Sequence, residues 1–230
     1  MSDFPFHLVG FDLDGTLVDS SADLAAAVNH VLAGLGRAPL SEAEVRRNIG
    51  GGGRRMLALS LADAGVDEPQ ALDARYAALL AYYEAHIADA TRPYPGVAEA
   101  LDELAALGVR LAVVTNKGGR LATKLLDALG LSARFACVIG GDTVARGKPA
   151  PDPILEMVRR CGGGRAAFVG DSTFDVAAAH AAGLPCVAVR FGFADRPVEQ
   201  LGADAVIGDY AALAPALRRL GQPGFPPRSS

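Results

Sequence analysis

Residues 11–16, FDLDGT, decide how this chain folds, because they directly follow the short apolar run HLVG at residues 7–10. A short apolar run that ends in a glycine-containing turn is typical of a buried parallel strand. In an open α/β sheet, ligands bind at the carboxyl ends of such strands. The sequence therefore predicts a first strand that carries two carboxylates, Asp12 and Asp14, to a binding edge of the sheet.

Asp12 and Asp14 lie two residues apart, so in extended backbone their side chains point the same way. Two like charges in a partly dry site raise the free energy unless a cation compensates them. Mg²⁺ suits this place because it prefers oxygen ligands, and Gly15 allows a tight turn beside it. A solvated turn is the alternative. An EF-hand loop is excluded, since the glycine is fourth rather than sixth and Asp23 replaces the glutamate of the twelfth position.

The composition narrows the class of protein. Half of the 230 residues are hydrophobic, enough for a sizeable core, and the net charge is −4 without a basic run, which argues against a nucleic-acid partner. We expect no signal peptide and no membrane span, since no run approaches ~18 apolar residues. The three cysteines are widely spaced, so we expect a reduced, cytoplasmic protein. The composition fits either a monomer or a homodimer.

The order of helical and strand patterns divides the chain. Residues 19–92 contain four helical patterns and no convincing strand, and Ser41 with Glu44 forms a capping box. Beyond them strands alternate with helices, which is typical of a doubly wound parallel sheet, and Asp152 is predicted to cap one helix. We predict an α/β fold with a core of residues 1–18 plus 93–221, an inserted all-α domain of residues 19–92, and a loose tail of residues 222–230.

Polar residues follow the later strand patterns as well. Thr115 and Asn116 come after a strand and before a helix, a setting that suits an anionic oxygen. Lys148 lies in a loop stiffened by three prolines, and Asp171 and Asp175 follow another strand. Each of these residues taken alone could instead be a helix cap, a solvated charge or part of a turn. Their joint placement at strand ends favours a functional site.

Together these residues supply what phosphoryl transfer needs, namely a positioned nucleophile and groups that neutralise charge. Aspartate carboxylates act as such nucleophiles through an aspartyl phosphate. The sequence contains no Walker loop, because Gly147-Lys148 is followed by Pro149 rather than by serine or threonine. A phosphoryl-transfer site built on aspartates is therefore the prediction.

Through these motifs, from Leu8 to about Leu220, the chain resembles the phosphatases of the haloacid dehalogenase superfamily that carry a helical cap, in particular the phosphoglycolate-phosphatase-like members. The resemblance implies a Rossmann-like core, a cap formed by residues 19–92, and Mg²⁺-dependent hydrolysis of a phosphate monoester through an aspartyl phosphate. It implies that Asp12 is the nucleophile. Asp14 would be the general acid for the leaving alcohol and later the base that activates water.

The resemblance also implies the remaining roles in the core. Asp171 would bind Mg²⁺ together with Asp12 and the backbone carbonyl of Asp14, and Asp175 would support metal-bound water or Lys148. The residues that would bind the phosphoryl oxygens are Thr115, Asn116 and Lys148.

Single residues separate the chain from other members of the superfamily. Dehalogenases lack the second aspartate, which is present here as Asp14, and phosphonoacetaldehyde hydrolases use a cap lysine, whereas residues 19–92 contain none. Sugar-phosphate mutases usually carry valine where Thr16 stands. A binding protein that had lost the chemistry would show a damaged motif, and the motifs are intact. These differences favour a phosphatase over a mutase or a non-catalytic binding protein.

The loop at residues 48–55, NIGGGGRR, resembles the substrate loop of phosphoglycolate phosphatases. Its glycines, Gly51 and Gly52 among them, expose backbone amides, and Arg54 and Arg55 open a helix, where charge and dipole favour a carboxylate. The loop implies a small phosphorylated acid such as 2-phosphoglycolate. A flexible turn with solvated arginines is the alternative, and similar caps serve sugar phosphates, including N-acetylmuramate 6-phosphate, and biosynthetic phospho-intermediates.

Overall fold

The computed structural model describes residues 4–66 and 69–222, so the predicted tail lies, apart from Gln222, outside the described residues. The strands are β1 (Leu8–Phe11), β2 (Val18–Asp19), β3 (Arg92–Pro93), β4 (Arg110–Val114), β5 (Cys137–Ile139), β6 (Ala166–Gly170), β7 (Cys186–Val189) and β8 (Ala205–Ile207). The α-helices are α1 (Ser21–Gly34), α2 (Glu42–Arg46), α3 (Gly53–Asp63), α4 (Leu72–Ala85), α5 (Val97–Ala106), α6 (Gly119–Ala128), α7 (Asp152–Arg160), α8 (Thr173–Ala181) and α9 (Leu213–Leu220).

The main sheet has the strand order β5-β4-β1-β6-β7-β8, and each neighbouring pair is parallel. β1 is central, with Leu8 paired to Arg110 of β4 on one side and to Ala166 of β6 on the other. This is the doubly wound α/β fold that the alternation of strands and helices predicted. The order brings the carboxyl ends of β1, β4 and β6 to one edge of the sheet.

The central strands are buried on both faces, which explains why they are continuous apolar runs. Val9 and Phe11 of β1 face one hydrophobic cluster, and Leu8 faces the other. Side chains in a strand alternate between faces, so a slip of one residue would place each of them on the wrong side. This packing fixes the register of β1 and therefore the position of the residues that follow it.

The helices α1 to α4 leave and rejoin the core at a single place. β2 and β3 form a two-stranded antiparallel ribbon, in which Val18 pairs with Pro93 and Asp19 with Arg92. The ribbon is too short for a periodic pattern, so the sequence did not reveal it. It lies at the predicted boundaries of the inserted segment, and the division into two domains stays a prediction.

Local features test two predictions about helix ends. The capping box of Ser41 and Glu44 at α2 is confirmed, since both of its hydrogen bonds are present. The prediction that Asp152 caps α7 is wrong, because Pro151 already has helical backbone at the N-cap and Asp152 is the first helical residue. Its carboxylate instead accepts hydrogen bonds from Arg146, at 2.9 and 3.1 Å. Among the described residues, no helix is both long and apolar enough to span a bilayer.

The buried carboxylate of Asp23 ties α1 to the end of the inserted segment. It is 4% exposed and accepts hydrogen bonds from the backbone N–H of Ala90 at 3.0 Å and of Thr91 at 2.8 Å, and from the Thr91 hydroxyl at 2.6 Å. Removing a charged acceptor would leave these buried donors unpaired, which costs far more than losing an exposed pair.

We therefore expect Asp23→Ala to lower the free energy of unfolding by about 3 kcal/mol, measured by urea denaturation. The matched control is Asp73→Ala, which removes an exposed pair with Arg54 and should change the free energy by less than about 0.5 kcal/mol. Equal effects of the two substitutions would show that the Asp23 contacts do not hold the segment in place.

Candidate active site

The candidate site lies where β1, β4 and β6 end. Asp12 directly follows β1, Thr115 follows β4, and Asp171 follows β6. The backbone N–H of Asp12 donates to the carbonyl of Val169 at 2.9 Å, so the hydrogen-bonded ladder extends to the first residue of the site. The loop after β5 adds Lys148. The structure thus brings Asp12, Thr115, Lys148 and Asp171 to one edge of the sheet.

Lys148 is the centre of this arrangement. Its side chain is 1% exposed, and its Nζ lies 2.9 Å from Asp12 Oδ1, 2.6 Å from Asp175 Oδ1 and 2.9 Å from the backbone oxygen of Val114. Burial alone would lower the pKa of Lys148, but the carboxylates of Asp12 and Asp175 raise it above its ordinary value. The ammonium therefore stays charged and joins the ends of β1 and β4 to the first turn of α8.

Asn116 fixes the backbone around Lys148. Its side-chain oxygen accepts from the Lys148 N–H at 2.9 Å, and its Nδ2 donates to the Lys148 carbonyl at 3.0 Å. The same Nδ2 donates to the carbonyl of Gly50 at 3.0 Å, which connects the inserted segment with the core. The side-chain amide is thus engaged with two loops, and the binding of phosphate by Asn116 stays a prediction.

Asp12, Asp171 and Asp175 form a buried carboxylate cluster, with one oxygen of each within 4.8 Å of the others. Burial raises the pKa of Asp12 to about 7, against the opposing charge of Lys148. Burial, together with Asp175 and Asp12, also raises the pKa of Asp171 well above its ordinary value. Because three carboxylates meet one ammonium here, the donor set fits a hard divalent cation such as Mg²⁺.

Two of the three carboxylates, those of Asp175 and Asp171, already accept hydrogen bonds from protein groups on both oxygens. Asp175 Oδ2 closes a capping box at α8 by accepting from the N–H and hydroxyl of Ser172, at 3.0 and 2.6 Å, while its Oδ1 binds Lys148. Asp171 accepts one hydrogen bond on each oxygen, from Thr16 Oγ1 at 3.0 Å and from the N–H of Phe193 at 2.6 Å. Asp175 therefore holds Ser172 and Lys148 in place, and its support of metal-bound water stays a prediction.

Gly15 allows the chain to pass close to Asp171. Its φ is +88°, a left-handed conformation that favours glycine. A Cβ at this position would collide with the Asp171 carboxylate. The FDLDGT turn therefore needs glycine both for its backbone and for the approach of two strand ends.

Asp14 makes a contact that the sequence analysis missed. Both of its oxygens lie 2.7 Å from Lys117 Nζ, and Oδ1 also accepts from the Ser20 hydroxyl at 2.6 Å. The ammonium of Lys117 lies 4.8 Å from the centre of the Tyr83 ring on α4. Asp14 therefore does not join the side-chain cluster, and metal binding by its backbone carbonyl stays a prediction. The available signal was that Lys117 is one of only three lysines and directly follows Thr115-Asn116.

A cavity opens between these residues and the inserted helices. Its floor is polar and includes Asp12, Asp14 and Thr115. Its walls are mostly apolar and are formed by side chains such as Leu24, Ile49, Met56, Leu79 and Tyr83. The cavity can therefore hold a small ligand against the strand ends with few polar groups on the opposite side.

The glycine-arginine loop lies only partly at this cavity. Gly52 lines it, whereas Gly51, Arg54 and Arg55 line a neighbouring groove. Arg54 binds Asp73 on α4, at 2.8 and 3.0 Å, and the guanidinium of Arg55 lies over the ring of Phe174. A role for these four residues in substrate selection stays a prediction.

Comparisons with known proteins agree with this fold. Residues 9–189 match the family model of haloacid dehalogenase-like hydrolases. Phosphoglycolate phosphatases of Agrobacterium fabrum and Caulobacter vibrioides are both 43% identical to this chain. The first match covers 90% of this chain and 90% of that protein, and the second covers 88% and 86%. The crystal structure of a predicted phosphoglycolate phosphatase from Haemophilus somnus superimposes with a TM-score of 0.86 at 32% identity, over 92% of this chain and 97% of that one.

The carboxylate cluster predicts that Mg²⁺ stabilises the folded protein. At about ten times its dissociation constant, the ion should contribute about 1.4 kcal/mol and raise Tm by roughly 3–6 °C, measured by thermal unfolding with and without Mg²⁺. Asp171→Asn should abolish this shift, because it removes one charge from the cluster. The matched control, Asp127→Asn at an exposed position, should retain the shift. A shift that survives in Asp171→Asn would place the ion elsewhere.

Proposed function

We propose a function on the premise that the chain belongs to the haloacid dehalogenase-like hydrolases, as the match over residues 9–189 establishes. The function is the Mg²⁺-dependent hydrolysis of a phosphate monoester through a phosphoryl group carried on Asp12, with 2-phosphoglycolate as the substrate. One observation carries the chemistry: a buried ammonium, Lys148, fixes Asp12 at the meeting point of three strand ends, beside the carboxylate cluster. The relatives named phosphoglycolate phosphatase support the choice of substrate.

Asp12 is the nucleophile of the first step. Its carboxylate attacks phosphorus, the bond between phosphorus and the ester oxygen breaks, and an aspartyl phosphate forms. Asp14 gives its proton to the departing alkoxide, which leaves as an alcohol. In the second step Asp14 takes a proton from water, and the hydroxide attacks phosphorus, releasing phosphate and restoring the Asp12 carboxylate. Asp14 follows Asp12 by two residues, so the FDLDGT turn positions both carboxylates.

Two side chains would stabilise the transferred phosphoryl group. Lys148 supplies a permanent positive charge beside Asp12. The Thr115 hydroxyl accepts a hydrogen bond from the Lys117 N–H at 3.1 Å, so its own proton is available to an anionic oxygen. Donors that are fixed before the reaction contribute most where water is excluded. Mg²⁺, bound by Asp12 and Asp171, would neutralise further charge on the phosphoryl oxygens.

The cavity favours a second candidate substrate. Its walls are mostly apolar, which favours an ester whose organic part carries no charge. A sugar phosphate or a biosynthetic phospho-intermediate is therefore the second candidate. The floor would act on either substrate in the same way, so the two candidates differ only in what the walls contact.

The experiment that tests the proposed function measures phosphate release from a panel of esters, with Mg²⁺ and with EDTA. We expect 2-phosphoglycolate to have the highest kcat/KM and EDTA to abolish turnover of every ester. A higher kcat/KM for a sugar phosphate would replace the substrate but retain the chemistry. A failure to hydrolyse any ester with any divalent cation would refute the enzymatic function and favour a binding protein.

Asp12→Asn should reduce kcat by more than about 10⁴-fold, because an amide cannot carry the phosphoryl group. The loss should appear on every ester that the wild type hydrolyses, and circular dichroism should show an unchanged fold. Asp127→Asn again serves as the exposed control and should retain full activity. Substantial turnover by Asp12→Asn would exclude Asp12 as the nucleophile.

A further inference from the structure

We propose that Lys117 binds the carboxylate of the substrate and so selects phosphate esters that carry an acid group next to the ester carbon. This inference rests on the proposed function and assigns its specificity to one residue. Lys117 takes no part in the chemical steps described above. It is nevertheless buried at the floor of the cavity, with its ammonium between Asp14 and the ring of Tyr83.

Positive charge in the cavity is confined to one side chain. Among the described residues that line the cavity, Lys117 is the one cation, and both loop arginines line the neighbouring groove. A second anionic group on a substrate therefore has one cationic side chain to meet. Leaving that group unpaired against apolar walls would oppose binding.

Lys117 lies next to the group that would protonate the ester oxygen. Both oxygens of Asp14 lie 2.7 Å from Lys117 Nζ, and Asp14 must face the ester oxygen to protonate it. In 2-phosphoglycolate a single methylene group separates the ester oxygen from the carboxylate. A substrate whose ester oxygen meets Asp14 therefore brings its carboxylate close to the ammonium that Asp14 binds.

The ammonium of Lys117 can bind a substrate carboxylate in addition to Asp14. A lysine ammonium has three donors and can bind two carboxylates at once, or exchange one oxygen for another. The substrate carboxylate would take over part of the Lys117 contact and release an Asp14 oxygen toward the ester. The ring of Tyr83, which belongs to the inserted segment, lies 4.8 Å from the ammonium and covers part of it.

The competing explanation is that Lys117 only positions Asp14. In that case its loss would slow the hydrolysis of every ester by the same factor. A contact with the substrate carboxylate instead predicts a loss that depends on whether the ester carries a carboxylate. The two explanations therefore differ in a ratio of rate constants and not in a single rate.

The experiment compares kcat/KM for 2-phosphoglycolate with that for 2-hydroxyethyl phosphate, which is of similar size and lacks the carboxylate. Wild type, Lys117→Met, Lys117→Arg and the surface control Lys124→Met are measured. We expect the ratio of acid to neutral ester to fall roughly 10- to 100-fold in Lys117→Met, the effect of losing one hydrogen bond to a charged group. Lys117→Arg keeps the charge and should lose less than Lys117→Met, and Lys124→Met should match wild type.

The outcomes separate this inference from the proposed function. A wild-type preference for the acid that persists in Lys117→Met would refute the role of Lys117 and leave the function standing. A wild type that shows no preference would overturn the proposed substrate and this inference with it. If Lys117→Met does not fold, calorimetric binding of both esters to Asp14→Asn and to Asp14→Asn/Lys117→Met gives the same comparison without an unpaired Asp14. An equal preference in these two variants would also refute the inference.

Discussion

The ion pairs of the buried Lys148 with Asp12 and Asp175 are the interaction on which the site depends. In a low-dielectric interior an ammonium is stable only with such partners, and removing one of them costs several kcal/mol, typically about 3–5. Lys148 is therefore confined to one position, and the loop that carries it is fixed to the sheet edge through Asn116. Because charge and backbone are set before a ligand arrives, little reorganisation is needed when phosphoryl transfer begins.

This pairing leaves the negative charge of the cluster in excess, and that excess links the fold to the chemistry. Burial and mutual repulsion raise the pKa of both Asp12 and Asp171, so the ionised cluster opposes folding when no cation is bound. A divalent cation would relieve this cost. The core therefore supplies the charge-rich part of the site, whereas the inserted helices supply apolar walls and reach the core through Gly50 and Tyr83.

Local sequence patterns were sufficient to predict the sheet, its strand ends and the carboxylates at those ends, because a buried parallel strand and the turn that follows it are formed by consecutive residues. Such patterns could not predict contacts between residues that are distant in the sequence. Lys117 meets Asp14 across 103 positions, and its environment also includes Tyr83 from another helix. The sequence placed Arg54 on a helix but could not predict its pairing with Asp73. The two residues lie 19 positions apart, and an exposed arginine has many possible acidic partners. The error at Asp152 arose because proline backbone, rather than a side-chain cap, begins α7.

The most direct test of the central claim is to trap the phosphoryl group on Asp12. Enzyme that is turning over 2-phosphoglycolate in Mg²⁺ is quenched in acid and treated with borohydride, which converts an aspartyl phosphate to homoserine, and its peptides are analysed by mass spectrometry. We expect homoserine at position 12 and aspartate at every other aspartate position. Unmodified Asp12 in enzyme that consumes substrate, or homoserine at a different position, would contradict it.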